Sequence, residues 1–207
     1  FDMDNTLVKG NALLGFIYFI LRYSKYPMVS RWLFKINFYI KVRLLKKSKR
    51  PILIKFLKGY KKRYLKNMAR NFVKSDLIFN NKILRYLEDD KANGFMPIVI
   101  SANINEIVCE VANYLKIDMF LASSLSYSAK EYCQGCLEKD ISGNKHYELL
   151  SLKRRNKNFN LKASLITTDN YEDLICSKYL SEIRAVAMNK DGKKFWKKYT
   201  NKIISLC

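Results

Sequence analysis

Histidine is almost absent: His146 is the only one in 207 residues. The five cysteines (Cys109, Cys133, Cys136, Cys176, Cys207) are odd in number and widely spread. Cys133-Gln-Gly-Cys136 has no second CxxC to complete it, so a zinc centre is a poor reading. No stretch reads as a cleavable secretory leader, which makes reduced thiols in a cytoplasmic compartment the expectation. Acidic residues are missing between Leu7 and Ser75. Long apolar runs are missing too: within this basic segment the longest uncharged one, Gly10 to Leu21, falls short of the roughly 20 residues that span a bilayer. A segment of this kind is expected to lie on a membrane rather than to cross it. Internal repeats and low-complexity tracts are also absent.

What is present is enough for one domain, or one domain with a substantial insertion: 49% of residues are hydrophobic. The net charge of +21 is unevenly placed. Residues 1–74 hold nineteen Lys/Arg against two acids, whereas 75–207 hold twenty against sixteen. The basic residues of the first part are interleaved with aromatic and aliphatic ones, a texture that suits an anionic surface, lipid or nucleic acid, or else a solvated helical face.

The chain opens FDMDNTLV. Positions two apart on a strand share a side, so Asp2 and Asp4 share one site if the strand continues through them. Two carboxylates held together call for a divalent cation or an acid/base division of labour. Phe1 directly before Asp2 leaves such a strand almost no length, so the natural chain is expected to begin several apolar residues earlier.

Residues 11–74 read as helical and basic, broken near Pro27 and Pro51. After them, helices alternate with short apolar strands. The expected helices are 81–93 closed by Gly94, 105–116, 144–155 and 171–180; the expected strands are 97–101, 119–124, 163–168 and 183–189. This alternation predicts an α/β fold with a mostly parallel, Rossmann-like sheet flanked by helices. Ligands of such sheets collect beyond the carboxyl ends of the strands. That singles out Asp2 and Asp4, then Ser101 after PIVI, and Asp169 with Asp173 after SLITT. Lys145 opens an intervening helix behind Gly143-Asn144.

Asp2-Met-Asp4-Asn-Thr6, Ser101, Lys145 and Asp169-Asn-Tyr-Glu-Asp173, in that order, resemble the haloacid dehalogenase (HAD) superfamily over nearly the whole chain. The resemblance implies phosphoryl transfer in which Asp2 is the nucleophile, forming an aspartyl-phosphate, and Asp4 the general acid/base. It implies that Ser101 bonds a phosphoryl oxygen, that Lys145 screens charge, and that Thr6 and Asn103 complete the substrate-binding set. Magnesium is implied on Asp2, the backbone carbonyl of Asp4 and Asp169, with Asp173 assisting. Lys139 competes with Lys145 for the lysine role; His146 is expected to be a surface neighbour without a role. Asn5 stands where the family usually has glycine, and the fourth motif, usually Gly-Asp-Ser/Gly-x-x-Asp, reads Thr168-Asp169-Asn170-Tyr171-Glu172-Asp173.

A helical insertion between the first two motifs is similar to the cap of the phosphoserine phosphatase-like branch. The implied division is a core of residues 1–9 and 75–207 with a cap of residues 10–74. The basic, aromatic texture of the cap resembles membrane-associated lipid phosphatases of the phosphatidylglycerophosphatase C type, and phosphatase domains fused to prenyltransferases. The leading expectation is therefore a magnesium-dependent phosphomonoester hydrolase acting on a lipid-linked phosphate, peripheral at the inner face of the membrane. Phe16, Tyr18, Phe19, Trp32, Phe34 and Tyr39 are then expected at the headgroup level. The alternatives are a phosphatase of a small soluble metabolite such as phosphoserine, and a non-catalytic HAD domain that binds anionic lipid or RNA. No specific nucleic-acid partner is expected, since charge alone gives only nonspecific binding.

Overall fold

A computed structural model describes residues 1–44, 46, 48–157 and 159–206; Cys207 lies outside the described residues. Six strands form two three-stranded sheets. The first contains β1 (Ile98–Ile104), β2 (Met119–Tyr127) and β3 (Cys133–Lys139), with β1 and β2 parallel and β3 antiparallel to β2. The second contains β4 (Leu165–Thr168), β5 (Glu182–Ala187) and β6 (Ile203–Ser205), all parallel.

Residues 1 and 2 join the two sheets. The Phe1 nitrogen donates to the Ile98 carbonyl (2.7 Å) and the Ile100 N–H donates to the Phe1 carbonyl (2.8 Å), bonds to positions two apart as in a parallel pair. On the other side, the Asp2 N–H donates to the Thr167 carbonyl at 2.9 Å. The opening residues thus lie between β1 and β4, and Asp2 emerges in the middle of the sheet.

Helices cover both faces of this sheet because successive strand residues point to opposite sides. Val99 packs in one apolar cluster with Phe72 of α4 (Lys62–Ser75) and Ile107 and Val111 of α6 (Asn105–Tyr114). Its neighbour Ile100 packs in a second cluster with Leu149 of α7 (Lys145–Arg155), Ile166 and Ile183. The basic segment folds into α1 (Ala12–Arg22), α2 (Pro27–Tyr39, continued as a π-helical turn Ile40–Leu44), α3 (Lys49–Phe56) and α4. Pro27 occupies the first turn of α2 and Pro51 that of α3, where a missing N–H costs nothing. The breaks therefore fall before the prolines. The α5 helix (Asn81–Ala92) follows, and α8 (Lys190–Trp196) closes the chain before β6.

Three elements differ from expectation. β3 is a strand although only Cys133 of its seven residues is fully buried, which removes the apolar signal. Residues 171–178 form a tight 3₁₀ segment rather than an α-helix, with the Asn170 side chain capping the Glu172 N–H. Residues 161–163 are a 3₁₀ turn, so β4 starts at Leu165. Cys109, Cys133, Cys136 and Cys176 are free thiols.

Candidate active site

The first strand does not continue through Asp4. Residues 3–8 form a turn closed by the Val8 N–H on the Met3 carbonyl (3.0 Å), with Asn5 at φ 55°. Asparagine tolerates that left-handed conformation better than most side chains, which accounts for its standing in a usual glycine position. Asp2 and Asp4 still face one cavity, brought there by the turn and not by strand alternation. Neither Thr168 nor Asn170 has a positive φ, so the fourth motif needs no glycine.

The cavity has a volume of about 520 Å³ and lies at the carboxyl ends of the strands. Asp2, Asp4, Ser101, Asn103, Lys145 and Asp169 all line it. The register of β1 against β2 shifts between Ser101 and Ile104, a bulge of the kind that re-aims side chains near sites. At its floor, Lys145 Nζ donates to Asp2 Oδ1 and to Asp173 Oδ2, both at 2.8 Å. Lys145 is 3% exposed, and although burial by itself lowers its pKa, Asp2 and Asp173 hold it above the usual lysine range. Lys139 pairs instead with Glu148 at 2.6 Å on the surface.

Asp4 accepts from the Ala12 N–H (3.0 Å), from Asn103 Nδ2 (3.3 Å to Oδ2) and from Asn11 Nδ2 (3.4 Å). Burial pushes its carboxyl up to about 7, opposed by the Ala12 bond and assisted by the negative charge of Asp2. Thr6 is fully buried; its hydroxyl donates to Asp169 Oδ1 (3.3 Å) and accepts the Asp169 N–H (3.1 Å). It orients Asp169 instead of facing the cavity as a substrate group. Burial, then the charge of Asp2, raises the Asp169 carboxyl to about 6.

Two expectations change. Asp173, 2% exposed, does not line the cavity: it is held behind it by Lys145 and by the Thr168 hydroxyl, which donates at 2.6 Å. Its charge secures the lysine, which leaves it badly placed as a metal ligand. His146 is 5% exposed, not a surface residue, and packs beside the rings of Tyr147 and Tyr179.

Residues that the sequence reading missed also contribute. Thr168 was readable as the polar residue ending a strand just before Asp169. Asn11, the N-cap of α1, was readable as an Asn ahead of an apolar run. Arg50 carried no signal, being one cation in a run of them. It lines the cavity and donates to Asp140 (2.7 Å) and Ser123 (2.9 Å), tying α3 to the sheet.

Among the described residues there is no group of three or more His, Cys, Asp or Glu side chains arranged around a metal site. The chemistry of the cavity nevertheless fits a hard divalent cation. Asp2, Asp4 and Asp169 line it, burial destabilises Asp4 and Asp169 as anions, and the Lys145 ammonium pairs with Asp2 and Asp173 but with neither Asp4 nor Asp169.

A parallel α/β sheet with two carboxylates on its central turn, a buried lysine and a further aspartate at a neighbouring strand end is the layout of an acid-based hydrolase. The chain matches the family of haloacid dehalogenase-like hydrolases over residues 1–178 and belongs to it. No curated protein matches it. Among solved structures, a protein of unknown function from Bordetella pertussis Tohama I is similar at 12% identity and a TM-score of 0.78, covering 100% of this chain and 96% of that one. A phospho-aspartyl intermediate analogue of phosphoserine phosphatase is similar at 15% identity and a TM-score of 0.63, covering 93% and 87%. A phosphoserine phosphohydrolase-like protein from Francisella tularensis gives 19% identity and a TM-score of 0.61, covering 98% and 92%. At these identities the likeness is one of fold.

Proposed function

We propose that the protein is a magnesium-dependent phosphomonoester hydrolase working through an aspartyl-phosphate on Asp2. The observation that carries this reading is the buried ion pair of Lys145 with Asp2, in the same cavity as Asp4. An isolated pair of carboxylates repels an anionic phosphate; a lysine fixed 2.8 Å from one Asp2 carboxylate oxygen offsets that repulsion without reorganising. A Asp2 carboxylate oxygen bonds to phosphorus while the bond to the leaving alkoxide breaks, and the Asp4 carboxyl supplies the proton to that oxygen. Asp4, now ionised, takes a proton from water as the water oxygen attacks phosphorus, and the bond to Asp2 breaks to release phosphate. Ser101 and Asn103 hold the phosphoryl oxygens. Magnesium, on Asp2, the Asp4 carbonyl and Asp169, supplies charge neutralisation to the transferring group.

The substrate is a lipid-linked phosphate met at an anionic membrane, with residues 10–74 acting as the cap over a core of residues 1–9 and 75–207. Two features support this. Helices α1 and α3 wall the cavity through Leu13, Leu14, Arg50 and Leu53. Helix α2 leaves large apolar side chains in water: Met28 is 85% exposed, Trp32 63% and Tyr39 59%. The aromatic residues expected at the headgroups divide accordingly, since Phe16, Phe19 and Phe34 are buried and Tyr18 packs against the core, so only Trp32 and Tyr39 can serve. Among the described residues no helix is long and apolar enough to cross a membrane, which is consistent with contact from one side. A small phosphomonoester such as phosphoserine is the second reading, favoured by the fold shared with the phosphoserine phosphatase structures.

Phosphate release from a panel that includes phosphoserine and a phosphorylated amphiphile, with and without magnesium, tests the reading. Metal-dependent hydrolysis of the amphiphile is expected. Full activity after exhaustive chelation would overturn the metal assignment, and preference for phosphoserine would overturn the lipid one.

A further inference from the structure

Beside the catalytic cavity a second one, of about 870 Å³, runs between α2 and α3. Phe38 lines both. Its floor is a chain of rings: Phe38 stacks on Phe34 with centroids 5.6 Å apart, Phe34 meets Phe56 edge-on at 5.1 Å, and Phe56 leads on to Tyr60 at 6.5 Å. Leu33 and Ile52 line it as well. Among the described residues, the charged groups on its lining are two lysines, Lys41 and Lys55, with no acid. The two neighbouring volumes differ in chemistry: the catalytic one carries carboxylates and amides, whereas this one carries four aromatic rings with Leu21, Leu33, Pro51 and Ile52, and its uncharged polar side chains are Ser24, Ser30, Asn37 and Ser48.

We propose that this groove holds the hydrocarbon chain of a phosphorylated amphiphile whose phosphate sits at Asp2, with Phe38 as the wall shared by the two ends of one molecule. The proposal rests on the phosphomonoesterase reading of the Asp2 site. Size selects a chain over a peptide helix, because three turns of helix with side chains displace more than about 1,200 Å³. The groove falls instead within the roughly 300–1,000 Å³ typical of small-molecule sites. Charge agrees with size, since the two lysines favour a ligand that is anionic near its head and the aromatic floor favours one that is apolar beyond it.

Monoalkyl phosphates of increasing length, from ethyl to decyl, used as monomers below the concentration at which they aggregate, provide the test. Burial of each pair of methylenes is worth about tenfold in affinity. Ethyl and decyl differ by four such pairs, so KM is expected to fall by up to about 10⁴-fold along the series, tenfold for each pair that enters the groove, at nearly constant kcat. Leu33→Asp, at a position 55% exposed and so tolerant of change, should flatten the dependence by putting a carboxylate in the groove. A decyl phosphate carrying a terminal diazirine reads occupancy independently of turnover, and should label α2 and α3 saturably in both the wild-type chain and Asp2→Asn. Length-independent KM values together with diffuse, unsaturable labelling overturn the groove while leaving the hydrolase reading intact. Saturable labelling of α2 and α3 without hydrolysis of any phosphate upholds the groove and overturns the hydrolase reading.

Discussion

The floor of the catalytic cavity and helix α2 treat their side chains in opposite ways. At the floor Asp2, Asp173 and Lys145 are each less than 7% exposed, and each charge has a partner at 2.8 Å. On α2, only Phe34 of thirteen residues is fully buried, and Met28, Trp32, Leu33 and Tyr39 stand in water beside Lys25 and Lys35. A buried ion pair costs desolvation and is maintained because its geometry is complete. An exposed apolar patch costs solubility and points to something that covers it. The first region is finished within the chain; the second leaves its apolar side chains free for the membrane contact proposed above.

Substitutions in the two regions should therefore fail differently. Asp2→Asn keeps the volume and removes the nucleophile: turnover is expected to drop on the order of 10³-fold or more, with the circular dichroism spectrum unchanged. Near-wild-type hydrolysis would remove Asp2 from the covalent role. Lys145→Met leaves Asp2 and Asp173 facing each other without their cation, which is expected to cost about 3–5 kcal/mol in a denaturant titration as well as activity. If Lys145→Met were as stable as the parent, the floor would not be the finished network described above.

Metal binding should sharpen the contrast. Saturating magnesium is expected to raise the melting temperature by about 5–10 °C, because an ion held by the folded state alone stabilises by mass action. Asp169→Ala should abolish that shift, while Ser101→Ala, which removes only a phosphoryl contact, should keep it. Equal shifts in both variants would move the metal away from Asp169. The smallest effect belongs to α2: Met28→Ser with Trp32→Ser should leave unfolding within about 0.5 kcal/mol of the parent. Co-sedimentation with anionic liposomes should nevertheless weaken by about tenfold, a fraction of what fully burying two such side chains is worth. Undiminished sedimentation would leave the lysines and arginines alone as the contact.

The sequence reading singled out residues that the structure places around one cavity and missed elements at the margins, for the same reason. Asp2, Ser101, Lys145 and Asp169 are polar residues placed where apolar strands or turns end, so each stands out against its own neighbourhood. β3 offers no such contrast, with one buried residue in CQGCLEK, and the short α8 and β6 lie in the lysine-rich end of the chain. The role of Asp173 was misjudged because motif order says which residues meet and not which of them faces the cavity. The aromatic residues of α1 and α2 are interleaved too evenly for spacing to separate Phe16, which is buried, from Trp32, which is not.

The two opening residues, bonded to Ile98 and Ile100 on one flank and to Thr167 on the other, impose an order of events on synthesis. A ribosome delivers Asp2 about 165 residues before Thr167, its partner in β4, an interval on the order of ten seconds at about 5–20 residues per second. During that interval β1 to β3 can pair among themselves, but the edge of β1 that Phe1 and Asp2 occupy lacks its far neighbour β4, and Asp2 lacks Asp173 behind its lysine. The nascent chain therefore carries an open edge down its middle, the feature that makes incomplete α/β sheets prone to pair with the wrong partner. That edge closes only when the Thr167 carbonyl accepts the Asp2 N–H.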